Sequence, residues 1–464
     1  MADGGDDDSL DKINEGDHVV LKRGDIYKAV QIQSRKKVVF EKKWFFLDNA
    51  VGQLYSTTFD IVSGGELQPV KDVQSAACDV KEAGTDNRNI VDDGKSQKLT
   101  REDIETLKEQ GLKGQEIIQQ LIDNSSSFKN KTEYAQDKYI KKKKKKYENT
   151  VTILRPTSRI LALMYHGREP GKICHLRFDT LALMLNLANI HAGSKVLVFE
   201  TCAGLVLGSI MERMGGFGSV IQMYPGAGPV RAGVENFGFP THFHDTLHEF
   251  PICHVNALLA GTLDTRSKEP GTGEGNDFSE APPADVDGEE QPKTEQRDTP
   301  KNTETNAGGD QPTDEERERS REAKALIKRA KQEEKRKRLA AAAALLEGRN
   351  ADGLVIASLF HPCPVLLCLL KFLSPSRPFA VYSQYKEPLV ECFTKLKEAG
   401  GTVNLRLTDT WLRHYQVLPN RTHPKLLMSG GSGYLLSGIT VETERSGQTD
   451  SEEPAAKKQK VTES

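Results

Sequence analysis

The chain has 464 residues, enough for two to four domains, with 37% hydrophobic and 28% charged residues. Its net charge of −2 hides a strong segregation: acidic runs lie near the N-terminus and at 273–315, basic runs at 141–146 and 335–338, which favours a polyanionic partner. The seven scattered cysteines suit a reducing compartment, and the sequence predicts neither a signal peptide nor a membrane span.

The N-terminal part of the chain is predicted to be β structure. After a disordered segment at 1–14, residues 15–97 contain strand-like runs at 18–22, 27–32 and 36–46, separated by glycines. Short strands at regular spacing predict a small β-barrel domain that ends in a polar loop.

A helical connector is predicted over 98–149. Thr100 and Asp103 have the spacing of a capping box in front of a first helix. A second helix is marked by the apolar residues Ile117, Ile118, Leu121 and Ile122. A basic helix follows over 132–147 and contains the lysine run at 141–146.

Residues 150–264 and 350–443 alternate strands with helices, which predicts a mostly parallel sheet. We predict its strands at 195–199, 219–224, 353–358, 378–383 and 402–407, and its helices at 180–188, 206–214, 230–236, 364–372 and 388–399. The segment 265–349 interrupts this domain as a disordered, charged insert that ends in a solvated helix, and 444–464 is predicted to be a disordered tail.

The stretch 196–208 has the strand–turn–helix pattern in which Rossmann-like methyltransferases carry their cofactor loop. That loop is an acid followed by three alternating glycines. Here Glu200 holds the acid position and Gly204 the middle glycine, but Cys202 and Val206 replace the outer two. A β-branched side chain resists positive φ and fills space near the ligand. We therefore predict an α/β methyltransferase fold with a degenerate loop that binds no cofactor and has no catalytic residues.

Two further requirements of a working site fail as well. The second strand offers Gln222 and Tyr224 where a ribose-binding carboxylate is expected. The turn after the fourth strand reads Ser-Leu-Phe-His361-Pro362, without the acid or asparagine that often precedes proline in amino-methylating sites. His361 is interpreted as a packed or solvent-facing side chain, with a role as a base left as the alternative.

The lysine run is interpreted as a phosphate-binding surface, with a merely solvated stretch as the alternative. Tyr134, Tyr139 and Tyr147 lie close in sequence and are candidates for stacking on bases. The predicted RNA-binding residues are Lys129, Lys131, Lys138, Lys141, Lys142, Lys143, Lys144, Lys145, Lys146, Arg155, Arg377, Arg413 and Arg421.

Other motifs are interpreted more plainly. The histidines of 241–248 and the pair Cys253-His254 match no common zinc framework, so no metal site is predicted. Cys363 and Cys368 are expected to be buried core thiols. The tail 454–461 resembles a short nuclear localisation signal, as does 335–338, and we expect a nuclear protein.

Three segments carry a family resemblance: 131–139, 176–185 and 408–424. They resemble the non-catalytic subunit of the eukaryotic tRNA adenine-58 N1-methyltransferase, over about 15–262 and 350–443. The resemblance implies an N-terminal barrel, a Rossmann-like C-terminal domain, and a catalytic partner that holds S-adenosylmethionine. It also implies a heterotetramer with two copies of each subunit, and a tRNA that this chain helps to position. An active RNA methyltransferase with an atypical pocket and a pure protein scaffold stay open as alternatives.

Overall fold

The computed structural model describes residues 11–62, 64–70, 84, 96–109, 112, 114–147, 149–226, 228–263, 314–417, 422–429 and 431–442. The predictions for 1–10, for 264–313 and for the tail from 443 onwards lie outside the described residues. None of the described helices is long and apolar enough to cross a membrane.

The N-terminal strands form an antiparallel sheet and a hairpin around one apolar core. The strands are β1 (His18–Arg23), β2 (Ile26–Gln31), β3 (Lys37–Phe40), β4 (Lys43–Phe46), β5 (Thr58–Ile61), β6 (Leu67–Pro69) and β7 (Thr150–Leu154). The sheet order is β2-β1-β7-β5-β6, and β3 pairs with β4. Phe46 N–H donates to the carbonyl of Gly65 at 2.8 Å, which ties the hairpin to the sheet beside β6. The three strand runs predicted from the sequence are confirmed.

The strand β7 corrects the predicted start of the C-terminal domain at residue 150. It pairs with β1, where Leu21 lies opposite Ile153, and with β5, where Phe59 lies opposite Val151. Val151 and Ile153 alternate with less buried neighbours, and both are buried in the N-terminal core. A strand whose apolar face is covered in this way belongs to the N-terminal sheet, although the helical connector separates it from the other strands in sequence.

The connector has three helices, α1 (Arg101–Glu109), α2 (Gly114–Asp123) and α3 (Glu133–Tyr147). The predicted capping box is confirmed: Asp103 N–H donates to Thr100 Oγ1 at 3.2 Å, and Thr100 N–H donates to Asp103 Oδ2 at 2.8 Å. Ile117, Ile118 and Leu121 of α2 are buried against Tyr147 at the end of α3.

The C-terminal domain contains a seven-stranded sheet. Its strands are β8 (Lys195–Glu200), β9 (Ser219–Tyr224), β10 (Leu247–Pro251), β11 (Gly353–Ala357), β12 (Pro378–Ser383), β13 (Thr402–Asp409) and β16 (Tyr434–Thr440), and a hairpin of β14 (Leu412–Gln416) and β15 (His423–Ser429) stands apart. The order is β10-β9-β8-β11-β12-β16-β13, with β16 antiparallel to both neighbours. Strand order reverses between β8 and β11, the point where Rossmann-like folds bind ligands. The predicted Rossmann-like methyltransferase architecture is confirmed.

Two helical layers cover this sheet. One contains α4 (Ser158–Arg168), α5 (Phe178–Leu187), α6 (Leu205–Met214), α7 (Ala232–Glu235) and α8 (Thr241–Asp245); the other contains α9 (Val255–Leu259), α10 (Asp314–Glu347), α11 (Pro362–Leu369) and α12 (Glu387–Ala399). Successive residues of β8 point to opposite layers, with Val196 and Val198 in one core and Leu197 and Phe199 in the other. All five predicted strands are confirmed, whereas β10, β14, β15, β16 and α4 were not delimited from the sequence.

The helix predicted at the end of the 265–349 insert is confirmed as α10, but it is not solvated over its whole length. Its last turns are buried, with Ala342 at 0%, Ala343 at 3% and Leu346 at 1% exposure, in the same core as β10 and α9. Alanine side chains let the helix approach the sheet closely, so this end of the insert belongs to the domain.

Candidate cofactor loop and nucleic-acid interface

The degenerate loop joins β8 to α6 at the point where strand order reverses. Ala203 and Gly204 both adopt positive φ, at 57° and 90°, so the tight turn is built with only one glycine at the loop positions. Cys202 and Val206, which replace the outer glycines, are both 0% exposed. Cys202 Sγ lies 3.4 Å from the carbonyl of Ala357 at the end of β11. Both side chains therefore serve as core packing.

Glu200 points back into the protein and caps α6. Its carboxylate accepts the N–H of Leu207 at 2.9 Å and the N–H of Val206 at 3.3 Å. An acid at a helix N-terminus satisfies amides that lack partners within the helix. Burial nevertheless raises the pKa of Glu200 to about 7. The acid of the loop is therefore engaged in an internal structural contact.

The face of the loop opposite the sheet is covered by α7. Gly233 N–H donates to the carbonyl of Ala203 at 2.7 Å. A Cβ atom on Gly204 would lie 3.2 Å from both the backbone nitrogen and a methyl group of Val234. The segment α7 therefore packs directly on Gly204, the loop glycine that would lie against a cofactor.

The second strand is also sealed by protein groups. Arg231 donates to Gln222 Oε1 at 3.0 Å and to Glu249 Oε2 at 2.8 Å, which links β9 to β10. Gln222 is 2% exposed and Tyr224 at the strand end is 6% exposed. No carboxylate lies at the end of β9, as predicted from the sequence. The loop is therefore packed, and Gln222 and Tyr224 stand where a ribose-binding carboxylate is expected.

The structure places His361 at the surface, before α11. The ring lies directly before α11 with its side chain 47% exposed, and Nε2 lies 3.2 Å from the Glu391 carboxylate. The predicted solvent-facing placement is confirmed, and the side chain is paired with an exposed acid on α12.

The histidine-rich segment forms α8 and the start of β10. His242 packs beside Gly216, where a Cβ atom would lie 2.6 Å from the ring. Within the described ranges, no three His, Cys, Asp or Glu side chains are grouped so that they could hold a metal ion. Cys363 is fully buried as predicted, and Cys368 is half-buried.

The predicted RNA-binding lysines are brought together on and just before α3. Lys129, Lys138, Lys141, Lys142, Lys144 and Lys146 are exposed, while Lys131 and Lys143 are half-buried. The helix packs through Gln136, Lys143 and Tyr147, and Gln136 donates to the carbonyl of Phe128 at 2.9 Å. In the lysine run, Lys143 is the inward position, Lys141, Lys142, Lys144 and Lys146 present a dense positive surface, and the side chain of Lys145 lies outside the described part of the structure.

The tyrosines of this region differ from the sequence prediction. Tyr147 is only 6% exposed, so its expected role in base stacking is wrong. The ring of Tyr139 meets Phe128 edge-on at 5.5 Å, with Lys131 and Lys143 ammonium groups about 5 Å from its centre. Tyr134 is the most accessible of the three, at 42% exposure.

The predicted arginines do not join this surface as one set. Arg155 follows β7 and lies over the ring of Tyr55 at 5.0 Å. Arg377 precedes β12 and pairs with Asp352 at 3.2 Å. Arg413 lies on β14, beyond the carboxyl end of β13, whereas Arg377 lies at the amino end of β12. The two arginines are therefore at opposite ends of the strands. Arg421 lies outside the described residues.

The β14–β15 hairpin carries an exposed apolar surface that was not expected from the sequence. The exposures are 69% for Trp411, 53% for Tyr415, 75% for Val417 and 100% for Leu426. The base of the hairpin is fixed, because the buried Arg177 binds Asp179 through two hydrogen bonds and donates to the carbonyl of Thr410 at 3.0 Å. A signal was present in the apolar residues scattered through 411–428, but only the structure shows that Trp411, Tyr415, Val417 and Leu426 are exposed.

Comparison with known proteins places this geometry in a family. The family model described as the Gcd10p family matches residues 12–305. A Mus musculus protein named tRNA (adenine(58)-N(1))-methyltransferase non-catalytic subunit is 58% identical, with 97% of this chain and 96% of that protein covered. The protein of the same name from Dictyostelium discoideum is 34% identical, with 92% and 79% covered.

Among solved structures, the tRNA (m1A58) methyltransferase of Aquifex aeolicus matches with a TM-score of 0.41 and 11% identity, covering 93% of this chain and all of that chain. An O-methyltransferase from Thermotoga maritima matches with a TM-score of 0.46 and 10% identity, covering 96% and 99%. The family model spans more than half of the sequence, and the identity to the mouse protein extends over almost its full length. The chain therefore belongs to the Gcd10p family.

Proposed function

We infer that this chain is the non-catalytic subunit of a tRNA (adenine-58-N1)-methyltransferase complex. The observation that carries this conclusion is the 58% identity to a mouse protein of that name over almost the whole of both chains. The loop geometry supports it independently, because Cys202 and Val206 are core residues and Glu200 is bound to backbone amides.

The methyl donor is proposed to bind in the partner subunit. In this chain the loop glycine is covered by α7, and Arg231 bridges Gln222 and Glu249 where the ribose would need an acceptor. Calorimetric titration of the isolated chain with S-adenosylmethionine is expected to give no binding signal. A micromolar or tighter dissociation constant would instead support an active enzyme with an atypical pocket.

The partner is proposed to bind at the β14–β15 hairpin. Trp411, Tyr415, Val417 and Leu426 are each more than half exposed, and such a group of apolar side chains on a fixed scaffold is typical of a protein interface. A heterotetramer with two copies of each subunit is the proposed assembly. An obligate interface of this kind buries roughly 2,000 Å² or more of mainly apolar surface.

This chain is proposed to hold the tRNA through the lysine surface of α3. Phosphate contacts set the position of a nucleic acid without reading its sequence. Position 58 lies inside the folded elbow of tRNA, so methylation requires the base to be exposed. A subunit that binds the RNA at a distance from the catalytic site stabilises this disrupted form.

Two finer features complete the proposal. The N-terminal strands are proposed to close into a small barrel, because residues of the sheet and of the β3–β4 hairpin share one core that includes Leu21, Phe45 and Phe59. A nuclear location is proposed from the basic tract of the tail at 454–461, which lies outside the described residues.

The decisive experiment is co-expression of this chain with its candidate catalytic partner, followed by a methylation assay on an unmodified tRNA transcript. We expect the pair to co-purify and to methylate adenine 58, whereas either subunit alone does not. Methylation by the partner alone at the rate of the pair would contradict a required subunit. Co-purification without any tRNA affinity would point to a pure scaffold.

A further inference from the structure

The helix α10 is buried near its C-terminal end and exposed over 326–335. It is 34 residues long, or about 51 Å at the rise of an α-helix. Ala342 and Leu346 near its C-terminus are buried in the core of the sheet domain, whereas every residue from 326 to 335 is exposed. The helix therefore extends from the domain as an arm.

The exposed part of the arm is strongly basic. Between residues 326 and 338 there are seven lysines and arginines and only two acids, Glu333 and Glu334. The acids pair with Arg336 and Arg338, at 2.5 Å in each case. Among the described residues, Lys328, Lys331 and Lys335 make no ion pair. No acid of the described residues therefore neutralises these three charges.

These free lysines lie on a single face of the helix. Lys328, Lys331, Lys335 and Arg338 follow one another at alternating spacings of three and four residues, which places them in one stripe. The same spacing continues backwards through the register positions of Lys324, Arg321 and Arg317. Towards the C-terminus, the same spacing continues from Lys335 through Leu339, Ala342 and Leu346, which face the domain. The basic stripe is therefore the continuation of the face by which α10 packs on the domain.

We propose that this stripe on α10 is a second RNA-binding surface, which contacts the phosphate backbone of the tRNA held by the complex. A solvated helix needs no ordering of its charges, but here four of the seven cations between 326 and 338 line one face and the two acids lie off it. Lys335 also lines a cleft of about 160 Å³ between α10 and β10, beside Tyr224 and Glu249. The Glu249 carboxylate of this cleft is paired with Arg231 at 2.8 Å and lies 3.9 Å from Arg338, so its charge does not engage Lys335.

The proposal rests on the proposed function, because it concerns the tRNA bound by the same complex. The test compares two triple variants of the co-expressed complex. The stripe variant carries Lys328→Gln, Lys331→Gln and Lys335→Gln. The control carries Arg329→Gln, Arg336→Gln and Lys337→Gln, which removes the same number of charges from other faces of the same helix segment. Glutamine preserves helix propensity, and circular dichroism with size-exclusion chromatography checks folding and assembly.

Affinity for an unmodified tRNA transcript is measured over a range of salt concentrations. The stripe variant is expected to bind about tenfold more weakly at low salt, and its slope of log affinity against log salt should fall by about 2 to 3. The control should stay within about twofold of the wild type. Equal losses in both variants, or none in the stripe variant, would overturn the proposal.

The outcomes also separate this proposal from the proposed function. A wild-type complex that binds no tRNA overturns both. A wild-type complex that binds and methylates tRNA while the stripe variant behaves identically overturns only the role of α10. A stripe variant with normal tRNA affinity that fails to enter the nucleus would assign the stripe to an import protein instead.

Discussion

The seven-stranded sheet has two halves whose carboxyl ends, here called the carboxyl edge, differ in how far their side chains are packed or exposed. Around β8, β9 and β10 the edge is filled by Val206 and the α7 segment and is bridged by Arg231. Around β11, β12 and β13 the edge instead exposes apolar side chains, with Leu359 at 71%, Phe360 at 51%, Tyr385 at 64% and Trp411 at 69%. The segment 265–312 separates the two halves in sequence.

This difference indicates what the domain is kept for. A methyltransferase that works by itself needs an open pocket at β8 and β9 and covered side chains elsewhere. Here Cys202 and Val206 of the pocket half are core residues, although Val230 after β9 is 62% exposed, and the other half exposes four large apolar side chains that are costly to leave in water. This difference supports the proposal that the domain binds the catalytic partner at its exposed half.

The largest expected effect is at the exposed half. Replacing Trp411 and Leu426 with Glu should weaken association with the catalytic partner by at least about 30-fold, because loss of one buried apolar anchor costs about 2 kcal/mol or more. Size-exclusion chromatography and a methylation assay measure the loss. Phe217→Glu is the matched control. Phe217 is 67% exposed, but it lies between α6 and β9, at the amino ends of the strands. Retained association in the double variant would place the interface elsewhere.

The filled half predicts a pH-dependent stability. The pKa of Glu200 is raised from 4.5 to about 7 by burial, so the folded state holds this proton more tightly than the unfolded state. The protonated Glu200 therefore contributes about 3 kcal/mol to the free energy of unfolding. This contribution is fully present below about pH 4.5 and is lost as pH rises to about 7. Glu200→Gln removes this dependence.

Thermal unfolding of the complex between pH 5 and pH 8 tests this expectation. The difference in melting temperature between Glu200→Gln and the wild type should shift in favour of the variant as pH rises. Glu391→Gln is the control, since Glu391 lies exposed on α12 with its pKa lowered by the Lys395 hydrogen bond. A pH-independent difference for Glu200→Gln would contradict a buried, protonated loop acid.

The affinity of the complex for tRNA is expected to depend on the lysines of α3 and on neither half of the carboxyl edge. Replacing Lys141, Lys142, Lys144 and Lys146 with Gln, while Lys143 keeps its place over the Tyr139 and Tyr147 rings, should weaken tRNA binding by the complex. The loss should shrink as salt rises, with the salt slope lower by about 3 to 4. The control replaces four exposed lysines of the sheet domain, Lys371, Lys386, Lys395 and Lys397. Unchanged affinity and slope would mean that the run is merely solvated.

The smallest effect is expected for the segment between the halves. Residues 265–312 are acidic and nearly devoid of apolar side chains, so they can contribute little burial. Their deletion should leave assembly and methylation within about twofold of the wild type. A deletion extended to 347 should instead destabilise the chain, because it removes the buried Ala342 and Leu346. Failure of the shorter deletion would show that the segment is structural.

Much of this organisation could be predicted because its signals are local. The substitutions Cys202 and Val206 are visible in the loop itself, and the buried runs of β8, β9, β11 and β12 show in a few consecutive apolar residues. The capping box of Thr100 and Asp103 involves only three residues of separation. Such features depend on turn chemistry and periodicity within about one element.

What the sequence by itself determined was therefore the fold class, the loss of the cofactor loop and the presence of a basic helix. Only the tertiary structure decided that β7 joins the N-terminal sheet, that Tyr147 is buried, and that the last turns of α10 enter the core. It also decided that Arg231 bridges β9 and β10. Each of these depends on a contact between segments far apart in the chain, and burial of a side chain is set by the neighbours that cover it rather than by its own sequence context.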